Sequence, residues 1–273
     1  MLTSFRFGQG PRMTSARIFF IGGLMSYRAL FGWMNPWIFI PSLLVSPVCQ
    51  ILLFAYIGRS AGVGTDEFYV IGNALNYAAI PCMFAMTFTI GGERFGQTLG
   101  LVLATPARRI PLFLGRSMPV IANGWFVAMF GVVVGSLLLD VDIPRSAWPL
   151  MALVVAVGSL ASTGLGLVMG AINLVYRDGA TMGNVFFLVL LIFTGTNVAL
   201  DDLPGWMAAI GRCLPLTHAI EATRMLADGA AWGAVSGLVV TELVIGLAYL
   251  AVGLGALRLF ERLSRTGATL DRI

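Results

Sequence analysis

SAWPLMALVVAVGSLASTGLGLVMGAINLVY, residues 146–176, contains no charged side chain. A bilayer's hydrocarbon core is crossed by about 20 consecutive apolar helical residues, so this stretch alone is long enough to span one. Working outward, five further runs meet the same test: 35–57, 68–92, 117–139, 179–200 and 229–257, the last broken only by Glu242. Six crossings and short connections use up the 273 residues. The composition agrees: 58% of the residues are hydrophobic and 11% charged, against about 25% charged in an ordinary soluble domain. The expected fold is therefore an all-α membrane protein with six transmembrane helices.

All 17 basic residues are arginines, and their placement orients the chain. With the N-terminus inside, Arg6, Arg12, Arg17, Arg28, Arg94, Arg108, Arg109, Arg116, Arg177, Arg258, Arg262, Arg265 and Arg272 fall on the inner side. Only Arg59, Arg145, Arg212 and Arg224 fall outside. Basic residues are retained on the cytoplasmic side, so both termini are expected there. Asp66, Glu67, Asp140, Asp142, Asp201 and Asp202 fall in the outer connections. Trp33, Trp37 and Tyr176 mark one interface and Tyr69, Trp148, Trp206 and Trp232 the other.

Several function classes drop out. Without lysine there is no G-x-x-x-x-G-K-[ST] phosphate loop, so no enzymatic nucleotide hydrolysis by that route is expected of this chain. Cys49, Cys82 and Cys213 lack metal-site or disulfide spacing, and His218 is the only histidine, so no metal site is expected. The arginines sit at the ends of apolar runs and form no patch for nucleic acid. No cleavable leader is expected, since Arg6, Arg12, Arg17 and Arg28 interrupt the first 34 residues.

Three stretches lie outside simple crossings. In 14–33, Arg17 and Arg28 fall about 20° apart on a helix of 100° per residue, with apolar residues over the rest. Residues 1–34 read as a cytoplasmic tail plus an amphipathic helix in the inner interface. In 93–113, Glu93-Arg94 ends the second crossing, a short helix follows, and Thr105-Pro106 breaks it. In 200–232, Asp201 or Asp202 is expected to cap a short helix from Pro204. Thr217 is expected to cap another, ended by Gly229. These form an outer hairpin whose His218, Glu221, Arg224 and Asp228 share a face. Residues 35–260 form the transmembrane domain and 261–273 a cytoplasmic tail.

The last two stretches carry a resemblance. Glu93, Arg94, Gly96, Thr98, Leu99, Thr105 and Pro106 fit the pattern E-R-E-x-G-T-L-x-x-L-x-x-T-P, with Phe95 and Gln97 departing from it. Leu203, Pro204, Trp206, Pro215, Leu216, Thr217, Glu221 and Arg224 fit an outer signature, L-P-x-W then P-L-T-x-x-x-E-x-x-R. Gly195 fits its leading glycine, but Ala199 stands where proline is common. Arg177-Asp178 also fits. The chain resembles the membrane subunits of type-2 ABC exporters, daunorubicin-resistance permeases among them. The resemblance implies a permease exporting a hydrophobic or amphipathic molecule, drug or lipid, from the cytoplasm or inner leaflet of a bacterial plasma membrane. It implies an ABC ATPase dimer as partner, with ATP and Mg bound there and no cofactor here, and a second copy or a sister permease. It assigns ATPase coupling to Glu93, Arg94, Thr98, Leu99, Arg17 and Arg28. It places the exit path between the second and fifth crossings. There Asn73, Tyr77, Phe84 and Thr87, and Asn184, Phe187, Thr194 and Asn197, are the polar or aromatic positions.

The alternative is a secondary transporter or channel that needs no ATPase. Such proteins usually carry intramembrane charges or paired broken helices. No internal repeat is visible, and Glu242 is the one intramembrane charge. Glu242 is expected to face the bundle, with Arg224 or His218 as partner. Gly158, Ser162, Gly166 and Gly170 form a small-residue stripe expected to serve packing within the subunit.

Overall fold

The computed structural model describes residues 36–95, 109–176 and 179–266. Eight α-helices carry the described chain: α1 (Pro36–Ala61), α2 (Asp66–Phe95), α3 (Arg109–Leu139), α4 (Trp148–Tyr176), α5 (Gly179–Phe193), α6 (Gly205–Gly211), α7 (Thr217–Ala227) and α8 (Trp232–Thr266). Among the described residues five of them are long and apolar enough to cross a membrane: α1, α2, α3, α4 and α8. The helix expected at 14–33, with Arg17 and Arg28, lies outside the described residues, as do Thr98 and Leu99 of the loop 93–113.

The fifth apolar run departs from its simple reading. Its helix α5 is 15 residues long, about 22 Å at 1.5 Å per residue, short of a hydrocarbon core about 30 Å thick. The chain leaves helical geometry after Phe193, with Gly195 at φ 76°. Thr194 still donates to Leu190 O at 3.1 Å, so the left-handed glycine follows the last turn and stops the helix. A hydropathy window cannot see this stop, because Thr194–Leu200 is as uncharged as the helix before it.

α2 and α4 form the centre of the bundle. Buried residues make up 72% of the apolar window of α2 and 67% of that of α4, against 22% in α1 and α8. α4 lies against α2 and α8, and α2 against α3, α1 and α5. Glycines let the backbones approach. A Cβ on Gly166 would meet Cys82 O and the Met83 backbone of α2, and one on Gly158 would meet Ala219 and Leu216. The small-residue stripe of α4 thus packs within the subunit, as small residues do where lipid supplies no hydrophobic drive. A second seam joins α4 to α8: Gly164 faces Gly246 O, Gly246 faces Ala161 and Gly253 faces Leu167.

The connection between α1 and α2 is tied down at the bundle end that carries the hairpin. Arg59 Nε donates to Asp66 Oδ1 at 2.8 Å and Arg59 Nη2 to Asp66 Oδ2 at 2.5 Å. Thr65 caps α2, its hydroxyl accepting from Phe68 N at 3.3 Å. The Tyr69 ring fills the space over Gly58 and donates to Val63 O at 3.1 Å.

Candidate functional site: a hairpin tied at both ends

The segment 200–232 folds as a 3₁₀ turn (Leu200–Asp202), α6 and α7. Its capping differs from the sequence expectation. Neither Asp201 nor Asp202 caps α6: both lie in the 3₁₀ turn, and the cap residue Pro204 has no side-chain bond. Thr217 is the first residue of α7 rather than its cap, and its hydroxyl donates to Gly211 O at 2.6 Å. The stop at Gly229 stands, with φ 87°. Ala230 N bonds Met225 O at 2.8 Å and Gly229 N bonds Leu226 O at 3.1 Å, the double closure of a Schellman motif.

The cap of α7 comes from another helix. Glu242, fully buried in α8, accepts from Leu216 N at 2.7 Å and from Ala219 N at 3.3 Å. A carboxylate at a helix N-terminus meets the unpaired N–H groups and the positive end of the helix dipole. This corrects the expected partner: Glu242 bonds backbone of α7, whereas Arg224 and His218 bond elsewhere. Leu216, the residue before α7, is left-handed at φ 76°. That conformation costs a leucine on the order of 1–3 kcal/mol and persists where surroundings over-determine it. Here Glu242 and the buried Leu216 side chain supply that determination. Tyr249, one face along α8, adds a bond to Cys213 O at 3.2 Å.

Arg224 ties the opposite side of α7. Its Nη1 donates to Gly195 O at 2.8 Å, and its Nη2 to Thr196 O and Phe68 O, both at 2.9 Å. The guanidinium lies 3.5 Å from the centroid of the Phe68 ring. These acceptors include the carbonyls freed where α5 stops short, so the arginine satisfies backbone that lipid could not. Burial draws the Arg224 pKa down from its ordinary value to about 9, with Glu221 opposing the shift; the group stays charged at neutral pH. Gly72 makes room: a Cβ there would meet Thr196 O and Arg224 Nη2. His218 Nε2 lies 3.1 Å from Arg212 O, Pro215 is buried, and Glu221 is exposed.

Four of the eight residues assigned to an exit path meet one another. Asn73 is fully buried and donates to Asn197 Oδ1 at 2.9 Å and to Tyr69 O at 3.0 Å, while accepting from Gln50 Nε2 at 3.0 Å. Tyr77 and Phe187 make an edge-to-face pair with centroids 6.0 Å apart, and the Phe84 ring covers Gly183. Thr87 bonds Met83 O at 2.8 Å, and Thr194 bonds Leu190 O and shares a 2.9 Å contact with Thr196 Oγ1. Asn184 is the exposed member. In this conformation, therefore, α2 and α5 are joined along this line within the subunit. Asn73→Leu is expected to lower stability by about 1–2 kcal/mol, given ~0.6 kcal/mol per interhelical polar bond in membrane proteins. Unfolding in mixed micelles measures it.

Of the assigned coupling residues, Glu93 and Arg94 lie in the last turn of α2, with side chains outside the described residues. Sequence reasoning missed Gln50, Phe68, Gly72 and Thr196. Gln50 could have been found as an uncharged polar residue isolated in an apolar run; the other three carry no signal until the helices meet.

A comparison with curated proteins gives no match. A search of family models matches the ABC-2 type transporter family over residues 24–227, from before α1 to the end of α7. That span holds the loop 93–113, four of the five long helices and, of the two ties of the hairpin, Arg224 but not Glu242. The chain is a multi-pass membrane protein and belongs to the ABC-2 type transporter family.

Proposed function

We propose that this chain is the membrane-spanning subunit of an ATP-driven exporter of a hydrophobic or amphipathic molecule, working with a separate ABC ATPase. The observation that carries the reading is the family match over 24–227. The absence of lysine from the sequence supports it, since a permease without a phosphate-gripping loop depends on a partner for hydrolysis. The partner is an ATPase dimer holding ATP and Mg, and the permease pairs with a second copy or a homologous subunit. The orientation puts both termini in the cytoplasm of a bacterial cell and the hairpin outside, from the inner bias of arginine. In this reading α5 and the unwound 194–199 together make the fifth of the six crossings. Arg224 and α6 cover the backbone that leaves the helix. Glu242, on which a secondary-transport reading would rest, is committed to capping α7.

The inner loop supplies the test. Leu99 is proposed to enter a groove on the ATPase, with Glu93 and Arg94 setting the angle of the loop against α2. Buried apolar anchors in such contacts often carry about 2 kcal/mol or more, and rim charges little. In proteoliposomes with a partner ABC ATPase, efflux of an amphipathic dye is expected only with ATP. Leu99→Ala and Thr98→Asp should abolish efflux and substrate-stimulated hydrolysis together while membrane insertion stays normal. Efflux that persists without the ATPase, or full coupling in both variants, overturns the reading.

A further inference from the structure

The hairpin helix α7 has two ties of different kinds. Glu242 holds its N-terminus to α8 through a fully buried carboxylate on backbone N–H groups. Arg224 holds its other flank to the ends of α2 and α5 through carbonyl oxygens. The two differ in what each group could do instead. Glu242 faces backbone donors it cannot exchange. Arg224 lines a cavity of about 240 Å³ whose walls include three carboxylates, Asp201, Glu221 and Asp228. Glu221 and Asp228 are exposed, and Asp201 has only a 3.9 Å contact with Arg212. No ion pair among the described residues includes Arg224, and its Nε is buried without a partner.

We propose that Arg224 is a two-seat latch: bound to the carbonyls of Gly195, Thr196 and Phe68 it holds the α2–α5 end shut against the hairpin, and moved into the adjoining cavity it pairs with Glu221, Asp228 or Asp201 and lets that end open. The seats balance because each offers what the other lacks. The carbonyl seat gives three short bonds and the Phe68 ring but no ion pair, Glu221 acting on the guanidinium only through space. The cavity gives opposite charge with water at hand. Charge-assisted bonds can form in either seat, so moving the guanidinium exchanges one set of strong bonds for another. Moving the guanidinium uncovers the carbonyls of 195–196, the unwound end of α5, while Glu242 keeps α7 on α8. The hairpin therefore turns with the last crossing as one body. The meaning of the latch as an exit gate rests on the exporter reading; the latch itself is tested without the ATPase.

The test uses the full chain in right-side-out vesicles with Cys49→Ser, Cys213→Ser and Thr196→Cys. Thr196 is fully buried beside the carbonyl seat, and native Cys82, also fully buried, reports whether the bundle is intact. Labelling by a membrane-impermeant maleimide is expected to rise about tenfold at position 196 when Arg224→Gln is added, equivalent to ~1.4 kcal/mol of opening, with Cys82 still protected. Adding Asp201→Asn, Glu221→Gln and Asp228→Asn together instead should lower labelling at 196 several-fold, because the second seat has then lost its charge. The latch is overturned if Arg224→Gln leaves position 196 protected, or if it exposes Cys82 as well, which would make Arg224 a residue that holds the whole fold. It is equally overturned if removing the three carboxylates leaves labelling unchanged or raises it.

Discussion

Glu242→Leu is expected to be the most damaging single substitution in the described chain, destabilising it by about 3–5 kcal/mol. Among the described residues the carboxylate is the only side chain bonding the first N–H groups of α7. Leucine fills the volume but leaves Leu216 N and Ala219 N unpaired in an apolar interior, at about 1–3 kcal/mol each. It also removes a charge–dipole contact that in buried settings approaches ~2 kcal/mol. The strained Leu216 would then lose the bond that holds it left-handed. Glu242→Gln keeps a carbonyl acceptor and should cost about half as much. The fraction of protein that stays monodisperse after heating in detergent reads both. A Leu variant as heat-stable as the parent would show that Glu242 does not support the hairpin.

Gly72→Val should follow closely, at about 2–3 kcal/mol, because a side chain there collides with backbone that cannot step aside. Its Cβ would meet Thr196 O and the Arg224 guanidinium, so relief requires moving the end of α5 or expelling the arginine. Gly237→Ala in α8 is the control. A Cβ there would meet no atom of another described element within 4 Å, and alanine gains up to ~1 kcal/mol of helix propensity over glycine. The same heating assay is expected to rank Gly237→Ala at or above the parent and Gly72→Val well below it. If the two glycine variants behaved alike, close approach of α2 to the unwound segment would not be a determinant of the fold.

The resemblance and the structure meet unevenly at the hairpin. Thr217, Glu221 and Arg224 stand at motif positions, yet their spacing says nothing of what they bind. Thr217 looks like a cap by residue type and is not one, because Glu242 already occupies the α7 N-terminus. Asp201 and Asp202 look like caps for α6 but close a 3₁₀ turn before it. Asn73 and Asn197, placed on a path by analogy, bond each other. A local signal identifies a group able to cap, bond or line; which partner it takes depends on the helix that arrives beside it.

Uncharged runs bounded by arginines determined by themselves that this chain enters a membrane as helices, since backbone in hydrocarbon must be bonded within its own segment. The same local physics put the stop of α7 at Gly229, where a left-handed residue closes the last turn. Tertiary structure alone decided that the fifth run stops after 15 residues. Hydropathy is blind to the left turn at Gly195, and the freed carbonyls are tolerable only because Arg224 reaches them from 28 and 29 residues away. It alone decided the role of Glu242 as well. A carboxylate in an apolar run reads as a costly charge until α7 sets its unpaired N–H groups against it, and then the same charge is what holds the hairpin in place.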